Sequence, residues 1–294
     1  FKQKTAYEIM PSLVGSEMCI RDSFPGGNIG KLAVTGTIND LLASGAVPKY
    51  LSLSLIIEEG FEFEKLEKVL ESARTEANLA SVEIVTGDTK VVGHGELDEI
   101  FVNTAGIGII EGESFSISKI KPGDKIIVTG TIGEHGLCVL ATRKGLELDT
   151  NLVSDCAALT GVGKIARESN CVHYMRDPTR GGLGGILAEI AIESNFGIEI
   201  YEEKIPIKEE VRGIAEILGI DPLYSANEGK FVIFVENNKA ETLLEKIKTD
   251  RYGKDAEIIG EVVHDHPGKC LLITRIGGKR LVDLPPGELL PRIC

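Results

Sequence analysis

The chain lacks tryptophan altogether and its aromatic residues reach only 5% of the total, so any core must be built from aliphatic side chains. Its few cysteines contain no CxxC spacing. That argues against a zinc knuckle or a disulfide framework and for reduced thiols in a cytoplasmic compartment. No apolar run approaches the roughly 20 residues that cross a bilayer. Basic tracts are missing too: 32 Lys and Arg stand against 45 Asp and Glu, a formal charge of −13, so nucleic acid is a poor partner. There is no GxxxxGK[ST] loop and no GxGxxG behind the first strand, which sets aside an ordinary P-loop NTPase and a dinucleotide-binding domain. Glycine is plentiful, at 34 residues, a sign of tight turns and close backbone approaches.

The first residues differ in style from the rest. Leu13 to Ser23 reverse-translates into a transposase-type sequencing adapter, and Lys2 to Ile9 into the flow-cell primer that precedes one. Segment 1–23 is therefore expected to be non-native and is left out of the fold expectation, with Cys19 and the Asp22-Ser23 pair given no role.

From Phe24 a Gly-rich turn leads into Ile29 to Ala46, which suits a buried helix. Tyr50 to Ile57 alternates at period two and reads as a strand, whereas Phe63 to Ala80 has apolar residues at helical spacing. Val82 to Thr86 is expected as a short strand entering a turn at Gly87 to Lys90, and Ile100 to Ile110 as a further strand. A turn at Lys121 to Asp124 marks the start of a second module. There the expectation is strand Lys125 to Thr129, a helix from His135, a polar helix over Asn151 to Glu168, strand Val172 to Met175 and the loop Arg176 to Gly185. A helix through Ile192 and alternating strands and helices as far as Arg275 follow. This gives an α+β domain over 24–115, an α/β domain over 116–283 and a mobile tail over 284–294. Three prolines keep the tail from forming a helix, and it ends on Cys294 with a reach on the order of 35 Å when extended.

Carboxylates collect in helix-opening loops and at expected strand ends: Asp40 in the first helix, Asp88 in VTGDTK, Asp177 in RDPTRGG. Oxygen ligands of this kind hold a hard cation such as Mg²⁺, and free amides hold phosphate. Each aspartate alone serves equally as an N-cap or turn residue. Lys90 follows Asp88 by two, and Glu228 in SANEGK stands before an apolar strand, where desolvation opens its pKa to tuning. A solvated lysine and a turn carboxylate are the plain alternatives. His135 reads as a turn or helix-dipole histidine rather than a catalyst, and Cys138, Cys156 and Cys171 as small core hydrophobes. A terminal cysteine on a frayed end is ordinary unless the rest of the chain supplies it with a site.

FPGGNIGKLAVTGTINDLLASGA, VTGDTKVV, FVNTAGIG, GDKIIVTGTIGEHG, LVSDCAALT, MRDPTRGG, SANEGK and the terminal PRIC together carry a resemblance over essentially Phe24 to Cys294. The chain resembles the HypE family, the carbamoyl dehydratases of hydrogenase maturation within the aminoimidazole ribonucleotide synthetase-like superfamily. The resemblance implies a two-domain PurM-like fold with a flexible C-terminal tail. It also implies ATP-dependent dehydration of a carbamoyl group on the Cys294 thiol to a thiocyanate, the source of the cyanide ligands of [NiFe]-hydrogenase iron. Placed on this sequence, it makes Cys294 the reacting group, Glu228 the general base and Lys90 the group that steadies developing negative charge. Asp40, Asp88, Asn103 and Asp177 would hold ATP, with Asp40 and Asp177 as ligands of Mg²⁺. The partners it implies are the carbamoyltransferase HypF, the HypC–HypD iron scaffold complex and a second copy in a homodimer formed through the first module. The family's Gly-rich start and TDS motif, with a metal-binding aspartate, have no counterpart in 1–23. Two other readings stay open. One is a different superfamily enzyme, such as a selenophosphate synthetase or a ribonucleotide cyclase, which needs no terminal thiol. The other is a non-catalytic carrier that shuttles a group on Cys294 with nucleotide as a switch.

Overall fold

The computed structural model describes residues 8–16, 23–145 and 152–285. The segment from 286 onward, Cys294 included, lies outside the described residues. The first sheet has the order β1 (Glu8–Ser16), β6 (Ile100–Ile110), β4 (Ala46–Glu58), β5 (Glu83–Val92), and only β4 and β5 run parallel. Period-two alternation turns Leu51, Leu53, Leu55 and Ile57 inward, onto α1 (Ile29–Ala43) and α2 (Phe63–Leu79), and Ser52, Ser54 and Ile56 outward. A small hairpin of β2 (Ser23–Phe24) and β3 (Gly27–Asn28) precedes α1, and the Asn28 side chain caps that helix by accepting from the Lys31 amide at 3.0 Å. The helix stops at Ala43, short of the expected Ala46. Gly45 takes a left-handed φ of +87° and Ala46 already begins β4.

Residues 8–16, which the sequence reading leaves out of the fold, form β1 along β6. Main-chain pairing asks little of side chains, so an extended segment beside a free edge can complete it. The expected turn at Gly87 to Lys90 is instead the middle of β5, whose pairing with β4 continues from Glu83 to Val92. Gly87 is needed for a close approach rather than a turn: a Cβ there would stand 2.3 Å from the Leu53 carbonyl oxygen.

The second sheet runs β13 (Lys279–Val282), β12 (Cys270–Ile273), β9 (Gly197–Tyr201), β11 (Glu257–Val263), β7 (Lys125–Val128), β10 (Val232–Val235), β8 (Val172–Arg176). Its helices are α3 (Glu134–Arg143), α4 (Thr160–Ser169), α5 (Gly182–Ser194), α6 (Glu209–Leu218) and α7 (Ala240–Lys248). The α/β layers are present, but only β12 and β9 pair in parallel; the other pairs are antiparallel. β10 is buried at every position, as its unbroken apolar run requires. β13 escapes sequence reading because three of its four residues are exposed. The expected polar helix over Asn151 to Glu168 is a helix only from Thr160. Before that point the amides of Ser154, Ala157 and Leu159 bond to the Pro25 carbonyl, the Glu228 carbonyl and the Asn39 side chain, which leaves no helical ladder. One core joins the two modules, with Ile29, Leu42, Leu53 and Val102 packed together with Leu159, Val162, Phe231 and Ile233.

Candidate active site

Three loops of the second module meet around the buried Asn227. Its side-chain oxygen accepts from the Gly133 amide at 2.7 Å, and its side-chain nitrogen donates to the carbonyls of Pro178 and Ser225 at 3.1 and 3.0 Å. The Gly-rich turn before α3, the Asp177 loop and the SANEGK segment therefore hold one another in place. Gly182, at φ +61°, makes the contact possible: a Cβ there would stand 2.6 Å from the carbonyl oxygens of Leu223 and Ser225.

Glu228 is only 6% exposed. Asp155 fixes the backbone at this point. One carboxylate oxygen accepts from the Glu228 amide at 3.1 Å, and the other accepts from the Gly229 amide at 3.2 Å and pairs with the Lys230 ammonium at 3.2 Å. Burial alone would lower the Lys230 pKa, but the carboxylates of Asp155, Glu134 and Asp255 outweigh it and hold the group above the ordinary lysine value. From the first module, Asn39 donates to the carbonyls of Ala157 at 2.9 Å and Glu228 at 3.3 Å and accepts from the Leu159 amide at 2.9 Å. Asn39 is thus one bridge between the modules, with the half-buried Asp40 next to it on α1.

The candidate residues fall into two groups. Asp88, Ser54 and Asn103 are register partners across β5, β4 and β6, and Lys90, Ile56 and Phe101 form the next row on the same face. Thr104, the partner of Leu53, bonds to Thr37 at 2.6 Å and to the Ala33 carbonyl at 3.0 Å, both on α1, so α1 covers the opposite face. Asp88, Lys90 and Asn103 are therefore exposed on the side away from α1. Asp40 belongs to the α1 side, as do Glu228, tied there through Asn39, and Asp177, whose loop is tied to the Glu228 segment through Asn227. Asp88 lies within a strand rather than at its end, and its carboxylate accepts from the Thr89 amide at 2.8 Å. Burial pushes the Asp177 carboxyl above the usual carboxylate range, against hydrogen bonds from its own amide and the Thr179 hydroxyl and the charge of Arg176.

The described cysteines and His135 are buried. Burial pushes the Cys138 thiol up to about 11 and the Cys270 thiol to about 12. Cys156, 3.1 Å from the Thr35 hydroxyl, is driven higher by burial and by the charge of Glu228. With Cys171, these described cysteines are all buried. His135 is a core histidine rather than a turn one: it is fully buried, lies 2.7 Å from the Ser154 hydroxyl and edge-on to Phe24, and burial lowers its pKa to about 4. Among the described residues no three Asp, Glu, His or Cys side chains gather so as to hold a metal by themselves. A Mg²⁺ on Asp40 and Asp177 would take its other ligands from phosphate and water, which is its common habit. Sequence reasoning names Asn39 only as the neighbour of Asp40 and gives no role to Asp155 or Asn227. The available signal was for Asn39 alone, a polar residue at a helix position that its apolar neighbours assign to the interior.

Residues 10–110 match the family model described as AIR synthase related protein, N-terminal domain, and residues 121–272 match AIR synthase related protein, C-terminal domain. Carbamoyl dehydratase HypE of Escherichia coli (strain K12) is 47% identical over 272 residues, 92% of this chain and 80% of that protein. Among solved structures, a chain of a HypE–HypF complex superposes with a TM-score of 0.91 at 46% identity, covering 94% of this chain and 90% of that one. Hydrogenase maturation protein HypE in complex with ATP superposes with a TM-score of 0.94 at 40% identity, over 100% of this chain and 89% of that one.

Proposed function

The chain belongs to the HypE carbamoyl dehydratase family of AIR synthase-related proteins, and on that premise we propose that it uses ATP to dehydrate a carbamoyl group carried on its own Cys294 thiol. The observation that carries this reading is the buried Glu228, fixed from one side by Asp155 and from the other by Asn39 at the junction of the two modules. A carboxylate so placed suits a general base that must take protons from nitrogen without competition from water. The oxygen of the S-carbamoyl group takes the γ-phosphoryl group as ADP leaves, and one N–H proton is lost. Glu228 then takes the second N–H proton while the C–O bond breaks, phosphate departs and the third C–N bond closes, leaving a thiocyanate on sulfur. Phosphorylation is needed because a bare amide oxygen is a very poor leaving group.

In this reading Asp40 and Asp177 of one copy and Asp88 and Asn103 of a second copy, which lie on the opposite sheet face, hold the nucleotide; Asp40 and Asp177 would carry Mg²⁺, which would neutralise phosphate charge. Lys90 steadies developing negative charge. It does so from the sheet face opposite α1, so we assign its action to a homodimer in which a second copy covers that face. Ile56 and Ile107, exposed on that face, and the edge of β5 that is unpaired among the described residues favour such a cover. The described cysteines are buried, and three of them have raised pKa values, so they are poor nucleophiles; this favours Cys294 as the reacting thiol. HypF would load the thiol, and the HypC–HypD complex would receive the cyano group for hydrogenase iron, in the cytoplasm. No helix among the described residues is long and apolar enough to cross a membrane. The test is to incubate the full chain with HypF, carbamoyl phosphate and ATP and to weigh the C-terminal peptide. A carbamoyl adduct that then loses one water is expected. An adduct that keeps its water while ATP is consumed would identify a carrier, and no adduct at all would remove the thiol from the reaction.

A further inference from the structure

The last described residues, Asp283 to Pro285, leave β13 beside the turn Pro222–Tyr224. The Tyr224 hydroxyl donates to the Asp283 carbonyl at 3.0 Å. Its ring lies over α5, close enough to Gly184 that a Cβ there would meet ring carbons at 3.0 to 3.3 Å. Nearby, Arg280 of β13 pairs with Asp221 at 2.7 Å, and Pro285 stands 3.8 Å from where a Cβ on Gly185 would be. Strand, turn and helix thus grip the chain where it departs. The same turn runs straight into the candidate site. Ser225 donates to the Gly133 carbonyl at 3.0 Å and Asn227 binds the Gly133 amide and the Pro178 carbonyl, so only Ser225, Ala226 and Asn227 separate Tyr224 from Glu228.

We propose that Tyr224 is a positioning residue for the terminal thiol: by holding the Asp283 carbonyl against the turn that leads to Glu228, it sets the pivot from which the tail enters the site. This rests on the reading that Cys294 carries the reacting group. A tethered reactant works at an effective concentration set by where its tether is anchored and how freely the anchor moves. Releasing the root of the tail therefore lowers the fraction of time the thiol spends beside Glu228, while the nucleotide ligands are untouched.

The test compares the full chain with Tyr224→Phe, which removes one hydroxyl and keeps the ring. Two readouts are taken: ATP-dependent protection of Cys294 from alkylation, and single-turnover water loss after loading by carbamoyltransferase. Loss of one hydrogen bond predicts that both fall by about 2- to 12-fold, with loading and the ATP concentration at half-saturation unchanged and Tm lowered by no more than about 6 °C. Equal protection in the two proteins, or no protection by ATP in the unaltered chain, overturns the pivot. If the unaltered chain never loses water while Tyr224→Phe still loses protection, the dehydration chemistry fails and the pivot stands.

Discussion

Asp155→Ala is the most demanding test of the site's construction. The carboxylate is buried, with its side chain only 3% exposed, and it serves two backbone amides and the Lys230 ammonium. Removing one member of a buried ion pair costs about 3 to 5 kcal/mol, because the other charge is left without compensation. Two orphaned amides add to that, although contributions within one network are not additive. A loss of about 4 to 6 kcal/mol is expected, which for a chain of this size lowers Tm by roughly 8 to 24 °C. Urea denaturation followed by circular dichroism measures it. Combining Asp155→Ala with Lys230→Met should recover about 2 to 4 kcal/mol, since the stranded charge is gone. The pH dependence has a definite sign: the Lys230 pKa is raised on folding, so its contribution is complete below the ordinary lysine value of 10.5 and lost as pH rises through the folded value. That alkaline loss should shrink in Asp155→Ala, where only Glu134 and Asp255 are left to oppose burial. A single variant that costs less than about 1 kcal/mol, or a double variant that costs the sum of the two singles, would refute the view that this pair anchors the Glu228 segment.

Other outcomes follow from the same structure. Glu228→Gln should load normally and stall before water loss, and Cys294→Ala should fail to load while still binding nucleotide; mass measurement of the C-terminal peptide and calorimetric titration with ATP check these. Asn39→Ala strips partners from the Ala157 and Glu228 carbonyls and the Leu159 amide and should cost about 2 to 4 kcal/mol, read by thermal melting. Gly87→Ala sets a Cβ against the Leu53 carbonyl and should cost at least about 1 to 3 kcal/mol, seen as early loss of hydrogen-exchange protection in β4 and β5. His135 is held neutral, with its pKa lowered from 6.5 to about 4, so the stability it contributes is present above pH 6.5 and is lost as pH falls through about 4. The loss approaches about 3 kcal/mol and should be missing from His135→Gln in matched melts across that range.

The elements with strong periodicity were legible. α2 and β6 fall where the sequence pattern puts them, and the alternation in β4 fixes which of its faces meets α1. The failures share one cause. Residues 152–159 look helical, yet their amides bond to Pro25, Glu228 and Asn39, residues remote in sequence. Gly87 looks like a turn, yet its missing Cβ makes room for a neighbouring strand. Both signals depend on what packs alongside, and local composition does not carry that information.

By itself the sequence determined the chemistry on offer: a thiol on a proline-bearing tail, carboxylates in glycine-rich loops and a family resemblance strong enough to imply a reaction. Only the tertiary structure decided how those groups are supported and grouped. It put Asp88, Lys90 and Asn103 on one face of the first sheet and Asp40 on the other, because paired strands share their pleat. It joined Glu228 to Asp155 and Asn39, residues more than seventy positions away in the chain, because buried amides and carbonyls must find partners wherever the fold supplies them.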